Sequence, residues 1–236
     1  MSSLLRAELV KIRTVRTLLW VVLANLALLL ITAFSVSASE GSIQTAEDDR
    51  SVAQIAAIAI VFALICGIIV MAGEATHGTI TQTLLVTPVR ERVLAAKAIV
   101  AALIGLVLAV LAEALVLAIT VPGASLDVHN ARLVLLGVLV GAPLAGALGV
   151  GLGAVVHGQG AAIAMSLVWL LIGEHVAPLI SESAGKYTPG RAFGALASGS
   201  RTGHELLGMS AGGVAAAVWA VLFLAAGLFA LLGRDI

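Results

Sequence analysis

The stretch from Leu133 to Gly173 reads LVLLGVLVGAPLAGALGVGLGAVVHGQGAAIAMSLVWLLIG and contains no Asp, Glu, Lys or Arg. A helix that crosses a bilayer needs about 20 mostly apolar residues, so this stretch is long enough for two. Its polar break, His157-Gly158-Gln159-Gly160, has the glycines of a tight turn. The stretch therefore predicts two consecutive membrane spans, at 133–156 and 160–180.

The rest of the chain has the same character. Of its 236 residues 61% are hydrophobic and 11% are charged, whereas about 25% charged residues is usual in a soluble domain. Four further apolar runs bring the predicted spans to six, at 17–37, 53–73, 98–121 and 208–232 in addition to the two above. We expect an all-α polytopic membrane protein with one transmembrane domain over residues 1–236.

The charges predict an orientation and exclude one class of partner. Thirteen Lys and Arg balance thirteen Asp and Glu, so there is no basic field to hold nucleic acid. With six spans, both termini share one side, which carries eight basic residues against five on the other. Cytoplasmic loops carry the excess of Lys and Arg. The eight are Arg6, Lys11, Arg13, Arg16, Arg90, Arg92, Lys97 and Arg234. A cytoplasmic N-terminus and C-terminus are therefore expected.

The first sixteen residues predict a short amphipathic helix before the first span. Leu5, Leu9 and Ile12 fall on one helical face, and Arg6 and Arg13 flank it. Such a helix can lie at the inner surface of the membrane. A plain basic anchor that only sets orientation is an equal alternative.

The longest cytoplasmic loop, from Gly73 to Lys97, reads GEATHGTITQTLLVTPVRERVLAAK. Thr87 and Pro88 suit the N-cap and first position of a helix that leads into the third span. The loop is thus predicted to be two short helices joined by a sharp turn. An ordinary charged loop would be needlessly apolar at Ile80 and its neighbours, so a docking surface for a cytoplasmic partner is favoured.

The loop carries two patterns, Glu-x-x-His-Gly-Thr-Ile-x-x-Thr-Leu from Glu74 and Thr-Pro-x-Arg-x-Arg-Val-Leu-Ala-Ala-Lys ending at Lys97. It resembles the loop of permease subunits of type-2 ABC exporters. The opening Leu-x-Ala-Glu-x-x-Lys, which ends at Lys11, is similar to the same family's start. Tyr187-Thr188-Pro189-Gly190 resembles the family's segment before the last span, where leucine is frequent in place of Thr188.

The resemblance implies a permease that pairs with a second permease copy or a homologous permease and with two cytoplasmic ATP-binding-cassette ATPases. The loop would be the coupling helix, in contact with an ATPase through Glu74, His77, Thr79, Thr83 and Arg90. The permease would sit in the plasma (inner) membrane and export a small amphipathic compound, a peptide or a lipid. We expect no cofactor on this chain, with ATP and Mg on the partner ATPase.

The residues agree with a permease that leaves ATP hydrolysis to another subunit. A phosphate-binding loop needs G-x-x-x-x-G-K-[ST], and the only Gly-Lys pair, Gly185-Lys186, is followed by Tyr187. We therefore expect a transport subunit that is not itself an enzyme. The rival classes are an intramembrane hydrolase and a non-transporting membrane anchor or immunity subunit. His204-Glu205-Leu206-Leu207-Gly208 starts like a zinc motif but has glycine at the second ligand position.

Glu113 is an acid in the interior of the predicted third span. An acid at the centre of a membrane helix costs about 2.5–3.5 kcal/mol on insertion, so it needs a partner or water. One hypothesis places Glu113 and Asn25 in the translocation path, with Glu113 contacting a substrate cation or proton. The other is a hydrogen-bonded acid that faces a neighbouring helix at Asn25 or Thr32.

Small residues recur every four positions in the fourth span, at Gly137, Gly141, Ala145, Gly149 and Gly153. Such a stripe lets a second helix approach closely. Packing within the chain is the favoured interpretation, and a dimer seam is the alternative.

Overall fold

The computed structural model describes residues 2–38, 45–76, 78–79, 89–156, 158–199 and 207–233. These residues form helices joined by short turns, with no strand among them. Six helices are long and apolar enough to cross a bilayer, which confirms the predicted all-α, six-span fold. Spans one to six are Arg16–Ser37, Ala46–Thr76, Arg90–Ala124, Val128–Val155, Gln159–Ile180 and Met209–Leu232.

Span two continues beyond its apolar run because polar residues cap it. Span two begins at Ala46, where the Thr45 hydroxyl accepts from Asp48 N and the Asp48 carboxylate accepts from Thr45 N, a capping box. It passes through a 3₁₀ turn at Gln54–Ala57 and an α-helix at Ile58–Thr76. Span five likewise combines Gln159–Val168, a π-helical turn at Trp169–Gly173 and Glu174–Ile180.

Three shorter helices complete the described structure: the N-terminal helix Ser2–Thr14, a single turn at Glu182–Gly185, and Pro189–Ala197, here named the capping helix. The N-terminal helix buries a polar residue and leaves part of its predicted apolar face uncovered by the protein. Glu8 is buried, whereas Leu9 is 45% exposed. A position at the membrane surface stays a prediction.

Span four packs closely against its neighbours through the glycines of its small-residue stripe. A Cβ on Gly149 would lie 2.2 Å from Leu64 O in span two, and one on Gly137 would lie 2.0 Å from Leu196 O in the capping helix. Gly141 and Gly153 face span two as well. These glycines therefore allow helix contacts within one chain; a role between two chains stays a prediction.

The capping helix is held between spans four and six. Ala192, Ala195 and Leu196 are buried, and a Cβ on Gly212 of span six would lie 3.0 Å from Ala192 O. The segment after span five therefore folds back into the bundle instead of crossing over its surface.

Candidate functional site

Four charged side chains form a closed ring where the loop between spans two and three leaves the bundle. Lys97 Nζ lies 2.7 Å from Glu74 Oε1 and 3.0 Å from Glu8 Oε2. Lys11 Nζ lies 2.8 Å from the same Glu74 oxygen and 2.9 Å from Glu8 Oε1. Each ammonium thus contacts both carboxylates, and each carboxylate contacts both ammoniums. We call Glu8, Lys11, Glu74 and Lys97 the charge ring.

The charge ring is buried at its centre. Lys97 has no exposed surface, and its third donor reaches Val70 O at 3.2 Å. Its ammonium therefore uses all three N–H groups within the protein. A lysine this buried is tolerated only when paired and hydrogen-bonded. The ring supplies that environment.

Lys11 closes the ring on its exposed side. Burial disfavours its charged form, but the hydrogen bonds to Glu74 and Glu8 outweigh that effect and hold the pKa of Lys11 above its ordinary value. Glu8 and Lys11 are three residues apart on the N-terminal helix and so share a face. The helix thereby presents one acid and one base together to the ends of spans two and three.

Span two ends in a geometry that only glycine adopts easily. Thr79 N donates to Glu74 O at 3.0 Å, Gly78 N donates to Ala75 O at 3.3 Å, and Gly78 has φ +68°. This is a Schellman motif with glycine at C′. The motif fixes the direction in which the loop leaves the helix that carries Glu74.

The two ends of the loop also contact spans five and six. Gln159 N, at the start of span five, donates to Thr76 Oγ1 at 3.2 Å. The Arg90 guanidinium donates to Leu231 O and, at 3.3 Å, to Leu232 O at the end of span six. Both contacts satisfy helix-end groups that have no partner within their own helix. The base of the loop is thus joined to the N-terminal helix and to spans two, three, five and six.

The ends of several helices of a six-span bundle thus meet at the base of one loop. A comparison with known protein families identifies the chain. The profile of the ABC-2 family transporter protein matches residues 4–180. The chain belongs to the ABC-2 transporter family. It is therefore a multi-pass membrane permease component of an ABC-type transporter. The search of curated proteins finds no matching sequence.

In the ABC-2 permease, three predicted loop residues fall in the described part of the chain. Glu74 belongs to the charge ring, Thr79 closes the Schellman motif, and Arg90 binds the end of span six. His77 and Thr83 lie outside the described residues, as do Thr87 and Pro88. Span three begins at Arg90 with Val89 at its N-cap. Contact of these residues with an ATPase stays a prediction.

The residues of the second predicted site lie on two helices, Asn25 on span one and Glu113 on span three. Glu113 is 9% exposed and Asn25 is fully buried. Within the described residues, Glu113 Oε1 and both polar atoms of the Asn25 side chain have no hydrogen-bond partner. Thr32 donates to Leu28 O and Leu29 O of its own helix. A role of Glu113 and Asn25 in translocation stays a prediction.

A buried carboxylate at the opposite end of the permease was not predicted. Glu174 of span five accepts from Gly190 N at 2.7 Å and Arg191 N at 3.1 Å, in the first turn of the capping helix. It also accepts from the Thr188 hydroxyl and from Trp169 Nε1, the latter at 2.8 Å. Glu174 thus caps a helix that follows it in the chain. Within the Thr188-Pro189-Gly190 segment, Thr188 and Gly190 are thus the residues that contact Glu174.

The missed residues had a signal in the sequence. Two of the patterns that resemble the family contain Glu8, Lys11 and Lys97. Lys97 also interrupts an apolar stretch, because Val93 to Ala96 precede it and the predicted third span follows it. Spacing along the chain could not show that they pair, because their partners come from three separate helices. The same holds for Glu174, because three of its four partners follow it by 14 to 17 residues.

Proposed function

We propose that the chain is the permease of an ATP-driven exporter, acting as a dimer of permeases with two cytoplasmic ATP-binding-cassette ATPases. In this proposal both termini are cytoplasmic, the membrane is the plasma (inner) membrane, and ATP and Mg are bound by the ATPases. The exported compound is a small amphipathic molecule, a peptide or a lipid. Membership of the ABC-2 family supports the pairing with an ATPase.

The observation that carries the coupling part of the proposal is the charge ring. Glu74 and Lys97 lie at the two ends of the loop, and Glu8 and Lys11 join both to the N-terminal helix. A push on the loop therefore reaches spans two and three together instead of bending one of them. Buried ion pairs with several hydrogen bonds are costly to separate, so the ring moves as a unit.

Contacts outside the ring carry the same motion further. Arg90 binds the last carbonyls of span six, and Thr76 binds the first amide of span five. Closure of the ATPases on ATP would press on the loop and tilt these spans between inward-open and outward-open states. The change is a rigid-body movement of packed helices.

The test uses the permease co-expressed with a candidate ATP-binding-cassette ATPase, sought first in the neighbouring reading frames. The double variant Glu74→Ala with Arg90→Glu removes one ring member and reverses one charge at the loop base. We expect hydrolysis by the co-purified ATPase to lose its response to the permease. Arg132→Glu, an exposed arginine at the opposite end of the bundle, is the matched charge control.

Unaltered coupling in the double variant would overturn the docking assignment. An ATPase that neither co-purifies with the permease nor responds to it would favour the non-transporting anchor. Hydrolysis of a substrate by the purified chain without an ATPase would favour the intramembrane hydrolase.

A further inference from the structure

A cavity of about 460 Å³ lies between spans two, four, five and six and the capping helix. This volume is in the range of about 300–1,000 Å³ that small-molecule sites occupy. Its wall includes Leu64, Leu148, Trp169, Phe193, Trp219 and Phe223. Neither Glu113 nor Asn25 lines it, so it is separate from the second predicted site.

Among the described residues, the cavity wall offers no free side-chain N–H or O–H donor to a polar ligand. Three lining side chains carry a nitrogen or oxygen, and each already has a partner. The Ser166 hydroxyl donates to Ile163 O at 2.8 Å, Trp169 Nε1 donates to Glu174 at 2.8 Å, and Trp219 Nε1 donates to Tyr187 O at 2.7 Å. A hydrogen-bond acceptor placed here would lose its hydrogen bonds to water without a side-chain donor to replace them.

The wall also lacks a formal charge, since none of its residues is Asp, Glu, Lys or Arg. Glu174 is linked to the wall by its hydrogen bond with Trp169, and its carboxylate already accepts from four donors. A cation would find aromatic faces here but no counter-charge. An uncharged apolar group meets no such penalty, and a dry apolar cavity of only about 150 Å³ already binds benzene.

On span five the cavity is lined by Met165 and Trp169, which keep 49% and 44% of their surface exposed. Both lie near the middle of a span, so this side of the wall faces the hydrocarbon of the bilayer. At that depth the abundant uncharged apolar molecules are lipid chains.

We propose that this cavity binds one hydrocarbon chain of an amphiphile and is the site where the exporter holds the apolar part of its substrate. That the bound molecule is a substrate rests on the proposed function, whereas binding of the hydrocarbon chain requires no ATPase. The capping helix forms one wall through Phe193 and Gly194. A bound chain therefore touches the helix that Glu174 caps.

Two glycines give a matched pair of variants. A Cβ on Gly194, in the cavity wall, would meet no atom within 4 Å, and the same is true of Gly160 at the start of span five, outside the wall. Gly194→Trp therefore fills the cavity with little strain on the backbone. Gly160→Trp adds the same group elsewhere. Gly194→Leu is a smaller filling variant in case the tryptophan prevents folding.

The probe is phosphatidylcholine with a diazirine at the end of one acyl chain, in nanodiscs that hold the purified permease. After irradiation, labelled peptides are located by mass spectrometry. We expect label on the peptides of Phe193 and Trp219. In Gly194→Trp this label should fall by about ten-fold. The tryptophan displaces a length of lipid chain comparable to one apolar side chain, and losing the burial of that group lowers the affinity by about ten-fold. Gly160→Trp should keep it.

Trp20, 69% exposed on span one, supplies the internal reference for ordinary contact with lipid. Its label should be equal in all variants. Label on Trp20 without label on Phe193 and Trp219 would overturn the proposal, and so would cavity label that survives in both filling variants. Failure here with intact ATPase coupling would leave the proposed function standing.

Two other occupants have their own outcomes. Tetraphenylphosphonium that displaces the label better than hexadecanol does would show a site for cations and overturn the proposal. Gly194→Cys in a Cys66→Ala background tests a second copy of the chain. Bis-maleimide cross-linking of two copies through this cysteine, with loss of the lipid label, would show that the neighbouring permease fills the cavity and would also overturn it.

Discussion

Lys97 Nζ lies 2.7 Å from Glu74 Oε1, although the whole loop between spans two and three separates them in sequence. Lys97 is fully buried and the Glu74 side chain is 13% exposed. The pair fixes the two ends of the loop to each other, and Glu8 and Lys11 fix that pair to the N-terminal helix.

Replacing Lys97 by methionine keeps an unbranched side chain that is one atom shorter and removes its charge. Glu8 and Glu74 would then share Lys11 alone, and two buried carboxylates would lose a partner. Breaking a buried ion pair from one side costs about 3–5 kcal/mol. We expect Lys97→Met to lower the thermal unfolding temperature in detergent, whereas Arg92→Met, an exposed change on the same helix, should not.

A double variant separates pairing from packing. Because Glu8 and Lys97 interact directly, Glu8→Gln should destabilise the Lys97→Met protein less than it destabilises the wild type. Additive losses, or a Lys97→Met protein as stable as Arg92→Met, would show that the ring contributes no pairing energy.

Gly78 is the second point at the loop where one residue type is required. Its φ of +68° is a left-handed conformation, which costs other L-residues about 1–2 kcal/mol. Gly78→Ala should therefore destabilise the end of span two and weaken ATPase coupling. Gly78→Asn should lose less, because asparagine enters this region more readily. Equal behaviour of both variants and the wild type would contradict the assigned turn.

The capping helix offers a matched test of the Glu174 contact. A Cβ on Gly190 would lie 2.7 Å from Glu174 Cδ, whereas one on Gly194 would meet nothing within 4 Å. Gly190→Ala must displace a carboxylate that accepts from the first turn of the helix, and losing such a cap costs about 0.5–2 kcal/mol. Gly194→Ala should be neutral or stabilise by about 0.5–1 kcal/mol.

The measurement is hydrogen exchange of the amides of Pro189–Ala197. Exchange should be faster in Gly190→Ala and unchanged or slower in Gly194→Ala. If the two variants exchange alike, Glu174 does not hold the helix in place.

Glu113 gives the prediction on transport. Its Oε1 lacks a hydrogen-bond partner within the described residues, and an acid in a membrane helix is expected to have a functional role. Glu113→Gln should reduce export from vesicles while leaving assembly with the ATPase intact. Glu47→Gln, an exposed acid at the far end of span two, is the control. Full transport by Glu113→Gln would rule out a role for this acid in the path.

Hydrophobic runs were sufficient to predict the number of spans, because a bilayer demands about 20 apolar residues from each helix. They were less informative at helix ends. Span two starts at Ala46 and not at residue 53 because Thr45 and Asp48 cap it, and capping residues do not raise hydropathy. Helix ends are set by local hydrogen bonds that a count of apolar residues does not detect.

The residues of the candidate site likewise differ in how far the sequence could predict them. Glu74 and Arg90 could be chosen from the loop pattern, since they lie in it. Lys97 looked like one of several positive-inside charges, and only the packing of three helices shows it fully buried between two acids. The apolar cavity had no sequence signal, because leucines, alanines and tryptophans of a membrane protein line lipid, core and cavity alike.

Two positive and two negative charges make the ring electroneutral, and this affects its response to voltage. Moving one elementary charge through the membrane field changes the free energy by about 2.3 kcal/mol per 100 mV. A group of four charges that moves together with zero net charge contributes almost nothing of this kind. The ring itself should therefore add almost no difference between the rates of the conformational step in energised and de-energised membranes.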